Sequence, residues 1–357
     1  MRFHHEPLCQ LVSAVFAANG SEPAEADAIG SHLVDANLAG HDSHGVIRTP
    51  IYLQWLKNGD VVANRRLQIV HEADSLALLD GQSGYGQSIG KQAVELALSK
   101  CQRHGASVIA LKNSGHLGRI GHWAEMAADR GCVSLHFVNT SGKGMFVVPF
   151  GGAEPRLSVN PVTIGVPVSG RPHVILDIAA AATAEGKLKV ARNAGEAVPD
   201  NWILDANGQP TNDPNAFYGP PMGAILPIGG HKGYGLCFMV ELLAGALTGS
   251  GCSKAGITRL KQGMLSIFID PSQLPLDDFF GPDAARYIDF VKTSKTVKSG
   301  DRISVPGEIE EERRQERRRN GIELDDVTWQ QIVESAQQCG VSQDLIDATA
   351  SNSKTNL

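Results

Sequence analysis

Residues 67–80 read LQIVHEADSLALLD, and here the spacing of apolar residues changes from that of helices to that of strands. Two short apolar runs flank a polar turn at 72–74, which predicts two strands. Three upstream segments carry apolar side chains at helical spacing instead: residues 6–19, 23–38 and 43–58. We expect Ser21 to cap the second helix, Gly40 to end it, and Pro50 to kink the third. The chain therefore starts with helices and changes to β structure near residue 66.

The centre of the chain alternates between the two patterns. Helices are predicted at residues 87–101, 120–129 and 235–247, and strands at 108–111, 133–138, 162–168, 174–178 and 265–269. The turn SGR at 169–171 predicts that the strands around it form a hairpin. The helix at 235–247 is apolar enough that we expect it to be buried. Residues 193–224 contain five prolines and are predicted to form a loop.

The last fifty residues return to helical spacing. Residues 308–319 read EIEEERRQERRR, and Glu310 and Arg314 stand four apart, as a solvated helix would place them. This interpretation is favoured over a basic patch for nucleotide phosphates. Two further helices are predicted at 328–338 and 342–348. The fold class is therefore α/β (α+β), and the simplest arrangement joins residues 1–65 and 308–357 in a helical domain beside an α/β domain of residues 66–307.

Composition excludes several classes of protein. With 32 basic and 38 acidic side chains among 357 residues, the chain has a net charge of −6, which disfavours nucleic acid as a partner. No apolar run approaches the roughly 18 residues of a membrane span, so no membrane partner is expected. The six cysteines form no CxxC pair, which disfavours a zinc ribbon or a disulfide framework. This cysteine usage is typical of a cytoplasmic protein.

The densest cluster of reactive side chains lies at residues 41–48, which read HDSHGVIR. A hydrolase triad is disfavoured because neighbouring residues on one turn cannot easily form the relay, and the chain has no GxSxG elbow. A metal site is disfavoured because no carboxylate cluster completes it, and we predict no metal. The third hypothesis makes His44 a general acid/base and Arg48 an anchor for a carboxylate, which suits a 2-oxo or 2-hydroxy acid. A capping Ser43 with two surface histidines remains an equal alternative on spacing alone.

Two glycine-rich clusters could approach a phosphate. Residues 113–122 read NSGHLGRIGH after a predicted strand, and their spacing is GxxGxxG rather than the GxGxxG of a Rossmann site. Residues 229–235 read GGHKGYG and place Lys232 before the apolar helix, either as a cofactor contact or as an exposed lysine in a tight turn. The turn VPGE at 305–308 is a weaker signal. If a dinucleotide binds, it binds on a non-Rossmann scaffold.

Taken in this order, the clusters resemble those of the malate/L-lactate/ureidoglycolate dehydrogenase family, which also includes sulfolactate dehydrogenases and Δ1-piperideine-2-carboxylate reductases. The strings that match are NLAGHDSHGVIRTP at 37–50, LKNSGHLGRIGHWAEMAADRG at 111–131, FVNTSG at 137–142, NP at 160–161, LDIAAAATAEGK at 176–187, GHKGYGLCFMVELLAGALTGSG at 230–251 and VPGE at 305–308. The first two strings and GHKGYGL at 230–236 are most similar to the hydroxycarboxylate dehydrogenase branch. The resemblance implies a non-Rossmann NAD(P)-binding domain with a mostly antiparallel sheet, a helical domain from both chain ends, and a homodimer.

The resemblance also implies roles for individual residues. His44 matches the proton donor and acceptor, Ser43 the residue that orients it, and Arg48 the anchor of the substrate carboxylate. His116 matches a second substrate or acid/base histidine. The strings that contact the cofactor match His116, Leu117, Gly118, Arg119, Ile120, Thr140, Asp177, Ile178, Ala179, His231, Lys232, Pro306, Gly307 and Glu308.

The chain departs from the family pattern at two positions. Lys187 stands where the imine-reducing members carry an aspartate, and Val159 stands where many members carry a threonine. The first departure argues against piperideine reductase activity, and the second leaves the polarity of the substrate open. We therefore predict an oxidoreductase that uses NAD or NADP, with NAD favoured, on a small 2-hydroxy or 2-oxo acid of the malate or lactate type. The alternatives are an imine reductase and a metal-dependent hydrolase that uses His41, His44 and His116.

Overall fold

The computed structural model describes residues 1–142, 144–257, 259–276, 279–351 and 353–354. The helices are α1 (His5–Ala18), α2 (Pro23–Leu38), α3 (Thr49–Lys57), α4 (Gly86–His104), α5 (Gly121–Ala128), α6 (Glu185–Ala194), α7 (His231–Val240), α8 (Phe280–Lys292), α9 (Glu308–Asn320), α10 (Asp326–Gln338) and α11 (Gln343–Ser351). The strands are β1 (Arg2–Phe3), β2 (Gln68–Glu72), β3 (Leu76–Asp80), β4 (Ala106–Ser114), β5 (Val133–Ser141), β6 (Met145–Val147), β7 (Leu157–Ser158), β8 (Pro161–Val166), β9 (Val174–Ala179), β10 (Ile203–Leu204), β11 (Pro210–Thr211), β12 (Ala224–Ile225), β13 (Lys261–Ile269), β14 (Ile322–Glu323) and β15 (Ser353–Lys354).

The largest sheet has the strand order β2-β3-β4-β13-β5-β8-β9. Only β3 and β4 run parallel in it, and α4 connects them; the other neighbours are antiparallel. The predicted fold class, α/β with a mostly antiparallel sheet, is confirmed. The predicted hairpin is present as β8 and β9, which pair from Pro161↔Ala179 to Val166↔Val174.

Helices cover both faces of this sheet. Side chains alternate between the two faces along each strand, so neighbouring apolar residues pack against helices on opposite sides. On one face Val138 and Met264 pack in a core with α4 and α5, and Trp123 is its largest buried side chain. On the other face Phe137 packs with Val240 at the end of α7. A π-helical turn, Glu241–Ala246, continues α7 across that face.

The two ends of the chain share an apolar core. Phe3, Phe16 and Leu33 from the N-terminal segment pack with Ile332 and Ile346 from the last two helices. Strand β1 also lies between β14 and β15 in a small antiparallel sheet. The division into a helical domain of residues 1–65 and 308–357 and an α/β domain of residues 66–307 stays a prediction.

Several local predictions are wrong. The third helix begins at Thr49 rather than near Ser43, because residues 42–48 form two 3₁₀ turns, and Pro50 lies in its first turn without kinking it. Glu22 rather than Ser21 is the N-cap of α2, and the Ser21 hydroxyl donates to Glu25 instead. Gly40 ends α2 as predicted, with φ +84°.

The C-terminal charges and the central loop also differ from expectation. Arg314 pairs with Asp35, Glu125 and Glu311 rather than with Glu310, because α9 packs on α2 and α5. The segment at 193–224 holds the short strands β10, β11 and β12, which join β6 and β7 in a second sheet.

The apolar helix α7 is only partly buried in the single chain. Gly233, Cys237 and Val240 are buried, whereas Phe238 is 47% and Met239 49% exposed. The expectation of a fully buried helix is therefore wrong for this chain alone. Among the described residues, no helix combines the length and apolarity that a membrane crossing requires.

Candidate active site

Two 3₁₀ turns, Asp42–His44 and Val46–Arg48, carry the first group of predicted site residues. Asn37 of α2 fixes them, since its amide donates to Asp42 at 2.6 Å and its oxygen accepts the Val46 N–H at 2.8 Å. His44 and Arg48 lie in two separate 3₁₀ turns rather than on the one helix that was predicted from near Ser43. The Arg48 Nε donates to the Ser43 carbonyl at 2.6 Å, which holds the guanidinium beside the histidine. The terminal nitrogens have no partner among the described residues, so they are free to bind an anion.

His44 is half-buried next to Ser43. The Ser43 Oγ lies 3.0 Å from His44 Nδ1. Burial, the positive charge of Arg48 and the neighbouring His41 lower the pKa of His44 to about 3. His44 is therefore neutral at physiological pH, with Nδ1 bonded and Nε2 available to a ligand.

His116 meets this group from the end of β4. Its ring stacks on that of His44, with centroids 5.5 Å apart and planes 20° apart. The Tyr52 hydroxyl lies 2.7 Å from His116 Nδ1, and burial and Arg48 hold the pKa of His116 well below its usual range. Gly86 permits the close approach of α4, because a Cβ there would lie 2.1 Å from the His116 carbonyl oxygen. The structure thus joins two clusters that are about 70 residues apart in sequence.

Residues 117–120 are buried beneath His116. The N–H of Leu117 donates to Gln262, and the N–H of Arg119 donates to His32. The Arg119 side chain is 1% exposed and pairs with Asp35 and Glu125. These contacts show the segment fixing His116 in place. Direct contact of Leu117, Gly118, Arg119 and Ile120 with a cofactor stays a prediction.

Gln262 and Asn160 connect His116 to the predicted cofactor residues. Gln262 accepts from Leu117 N at 2.6 Å and donates to Thr140 Oγ1 at 2.8 Å. Asn160 accepts the Thr140 N–H at 3.2 Å through its side chain and the Ala180 N–H at 3.0 Å through its carbonyl. Asn160 was predicted only as part of the NP string at 160–161. Gln262 was not predicted, because it lies in β13, far along the chain from the other residues.

Strand β9 carries Asp177, Ile178 and Ala179 through the middle of this region. The Asp177 carboxylate accepts from Gly121 N at 2.7 Å and from Thr163 Oγ1 at 2.7 Å. Just after β9, Ala180 accepts an N–H from Ile228, three residues before His231.

The remaining predicted cofactor residues lie beside the two ends of β9. His231 and Lys232 are exposed at the N-terminus of α7, which has no side-chain cap. At the other end, the Ile175 N–H donates to the Pro306 carbonyl at 3.1 Å, and Gly307 and Glu308 follow at the start of α9. Asp177, Ile178 and Ala179 therefore lie on β9, and His231, Lys232 and Pro306–Glu308 lie beside its two ends.

Helix α6 brings this region next to the histidines. A Cβ at Gly186 would lie 3.4 Å from Ser43 Cβ, so the first turn of α6 faces Ser43. Lys187 is the next residue and is exposed. The sequence did not predict α6, because Leu188 is its one buried side chain.

The acidic residues near Arg119 form an ion-pair network. Asp35, His122 and Glu125 lie close enough to share one metal ion, and theirs is the one such group in the described part of the chain. Arg119 and Arg314 contact both carboxylates, so cations of the protein already neutralise them. The histidines of the hydrolase hypothesis, His41, His44 and His116, do not form such a group among the described residues.

The chain is similar to several known dehydrogenases over nearly its whole length. Hydroxycarboxylate dehydrogenase B of Escherichia coli is 37% identical over 352 residues, which is 97% of each chain. L-sulfolactate dehydrogenase of Methanothermobacter thermautotrophicus is 35% identical over 97% of this chain and 99% of its own. The solved sulfolactate dehydrogenase of Methanocaldococcus jannaschii superposes with a TM-score of 0.88 at 32% identity, covering 98% of this chain and all of that one. The malate/L-lactate dehydrogenase family profile matches residues 3–333, so the chain belongs to the malate/L-lactate dehydrogenase family.

Proposed function

We propose that the protein is an NAD(P)-dependent dehydrogenase that transfers a hydride to or from C2 of a small 2-hydroxy or 2-oxo carboxylate. One observation carries the proposal: the stacked pair His44 and His116 lies beside the free guanidinium end of Arg48. A substrate of this class has a carboxylate for the arginine and an adjacent oxygen for an imidazole. Its relatives are named for malate, lactate and sulfolactate, which all contain this unit.

His44 is assigned the proton transfer. In oxidation, its neutral Nε2 takes the proton of the substrate hydroxyl, while Nδ1–H donates to Ser43 Oγ. In reduction, the same nitrogen returns a proton to the forming alkoxide. A carboxylate bound at Arg48 offsets the guanidinium charge that lowers the pKa of His44, so substrate binding itself makes His44 more basic.

The residues along β9 fit a dinucleotide. The uncapped N-terminus of α7 offers backbone N–H groups, and Lys232 is exposed with no ion pair among the described residues, so both suit a diphosphate. Thr140, Asp177 and the turn Pro306–Glu308 would line the rest of the dinucleotide. When bound, a nicotinamide supplies or accepts the hydride at the substrate carbon.

A homodimer is part of the proposal. Phe238, Met239 and Leu242 leave an apolar face of α7 and its π-helical turn exposed, and Leu247 at the end is 64% exposed. A contiguous apolar face of this kind is typical of a surface that another chain covers.

The test is a survey of oxidation of NADH and of NADPH with pyruvate, oxaloacetate and sulfopyruvate, each with and without methylamine. We expect turnover of an oxo acid without amine, which would identify substrate and cofactor together. Turnover that requires the amine would replace the proposal with imine reduction. Absence of turnover with either nucleotide would contradict it.

A further inference from the structure

We infer that Gln87 and Tyr52 are positioning residues that hold His116 as the Nε2–H tautomer, so that His116 donates a hydrogen bond to the substrate oxygen while His44 alone carries the proton. The inference rests on the proposed function and divides the work between the two histidines. Hydrogen bonds connect Gln87 to Tyr52, and Tyr52 to His116, in one continuous network.

Gln87, which is buried, sets the donor-to-acceptor direction of these hydrogen bonds. Its Nε2 lies 3.1 Å from the His116 carbonyl oxygen and 3.1 Å from the Tyr52 hydroxyl. A carbonyl oxygen can only accept, so the nitrogen and not the oxygen of the amide must face it. Both amide protons are then used, one on the carbonyl and the other on the tyrosine oxygen.

The bond from Gln87 determines which way the Tyr52 hydroxyl donates. Its oxygen accepts from Gln87, so its single proton points at His116 Nδ1, 2.7 Å away. Burial raises the pKa of Tyr52 to about 12, and the proton therefore stays on the phenol. Since Nδ1 accepts this bond, the proton of the neutral imidazole is on Nε2.

The same hydrogen bonds oppose protonation of His116. An imidazolium carries a proton on both nitrogens, so Nδ1–H would meet the Tyr52 O–H head-on. Tyr52 could turn its proton away only towards Gln87 Nε2, which is itself a donor. Charging His116 therefore breaks a buried hydrogen bond, and the nearby Arg48 opposes the added charge as well.

His44 has no such restriction. Its Nδ1 partner is the Ser43 hydroxyl, which can donate or accept by rotating. Either tautomer of His44, and its charged form, keeps this bond. Of the two stacked rings, His44 can thus gain and lose a proton without losing a partner, and His116 cannot.

Imidazole nitrogen NMR of the full-length protein without ligands tests the tautomer directly. We expect the His116 Nδ1 signal to be that of an unprotonated nitrogen and Nε2 that of a protonated one, with no change between pH 6 and 8. His116→Gln identifies the signals. Tyr52→Phe should mix the tautomers, whereas Tyr85→Phe should not, because the Tyr85 hydroxyl is buried without a partner in the described structure. A protonated Nδ1 in the wild-type protein, or titration near pH 6.5, would overturn the inference.

Kinetics test the division of labour. A glutamine at position 116 can still donate through its amide but cannot transfer a proton, so His116→Gln should keep kcat within about tenfold of wild type, whereas His116→Ala should lose about 10²–10³-fold. At position 44 both substitutions should be equally damaging. If His116→Gln is as inactive as His116→Ala, His116 is the acid/base and the inference fails. If the wild-type protein turns over no 2-oxo or 2-hydroxy acid, the proposed function fails, and the NMR result still decides the tautomer.

Discussion

The rings of His44 and His116 lie nearly parallel, with centroids 5.5 Å apart, and each bonds a hydroxyl group through Nδ1. Both therefore have Nε2 available for a ligand. The partner hydroxyls differ, because Ser43 precedes His44 in the chain while Tyr52 reaches His116 from α3. Two like side chains thus acquire different chemical capacities from their neighbours.

Replacing His44 should remove proton transfer and little else. We expect His44→Ala to lower kcat by about 10²–10⁴-fold, the usual contribution of a positioned acid or base. Affinity for the nucleotide should change little, because His44 itself is not among the predicted cofactor residues. Steady-state kinetics and a nucleotide titration would check both expectations. Unchanged turnover would remove His44 from the mechanism.

Replacing Arg48 by lysine should weaken binding of the acid. The Nε of Arg48 is already bonded to the Ser43 carbonyl, which aims the terminal nitrogens at the site. Lysine keeps the charge but has neither this anchor nor a planar fork. We expect KM for the acid to rise about tenfold or more with a smaller change in kcat. An unchanged KM would contradict the anchoring role, and Arg192→Lys on α6 serves as a control of the same chemistry.

The pH profile should reflect the low pKa of His44. Because burial and Arg48 lower it to about 3, the free enzyme has the neutral base throughout pH 5–8. For oxidation, kcat/KM should therefore show no loss from His44 as pH falls to 5, whereas an ordinary histidine would lose activity below about 6.5. For reduction, which needs the protonated form, kcat/KM should fall as pH rises. A half-maximal point near pH 6.5 in the oxidation profile would show that burial and Arg48 do not lower the pKa of His44 in this way.

The strongly patterned parts of the chain were predictable from sequence. Helices α1, α2 and α4 and strands β3 to β5 bury a continuous apolar stripe, and the pattern reveals it. Helices α6 and α8 were missed, since each buries a single side chain, Leu188 or Ile288. Tertiary contacts determine where these two helices form, and a repeating pattern of apolar residues in the local sequence does not reveal such contacts.

The site was predictable as residues but not as geometry. The strings around His44, Arg48 and His116 predicted these residues as a site, and the structure brings them together. Tyr52 and Gln87 were missed, because their bonds to His116 span 64 and 29 residues. The predicted pairing of Glu310 with Arg314 was wrong for a similar reason. Packing of α9 on α2 places other carboxylates closer to Arg314.

The exposed face of α7 should be covered by a second copy of the chain. A charge there would have to be desolvated on association, so Met239→Glu should convert a dimer into a monomer. Sedimentation or light scattering would measure the mass. Val297→Glu, at a fully exposed position elsewhere, is the control and should leave the mass unchanged. A wild-type protein that is monomeric at micromolar concentration would contradict the homodimer.

The carboxylate of Asp35 should stabilise the fold in a pH-dependent manner. It pairs with Arg119 at 3.0 Å, with Arg314 at 3.2 Å and with His122 at 3.1 Å, and these contacts hold its pKa well below the usual range. A carboxyl whose pKa is lower in the folded state stabilises the fold above its unfolded pKa of about 3.9, and the stabilisation decreases as pH falls below that value.

Asp35→Asn should therefore cost about 1–3 kcal/mol of unfolding free energy at pH 7, with Glu125 still pairing Arg119, and less at pH 3. Urea unfolding at both pH values measures the difference. The control is Asp289→Asn, since Asp289 pairs with Arg171 on the surface and its replacement should change the unfolding free energy much less. Equal losses at pH 7 and pH 3 would show that the Asp35 charge is not what the two arginines require.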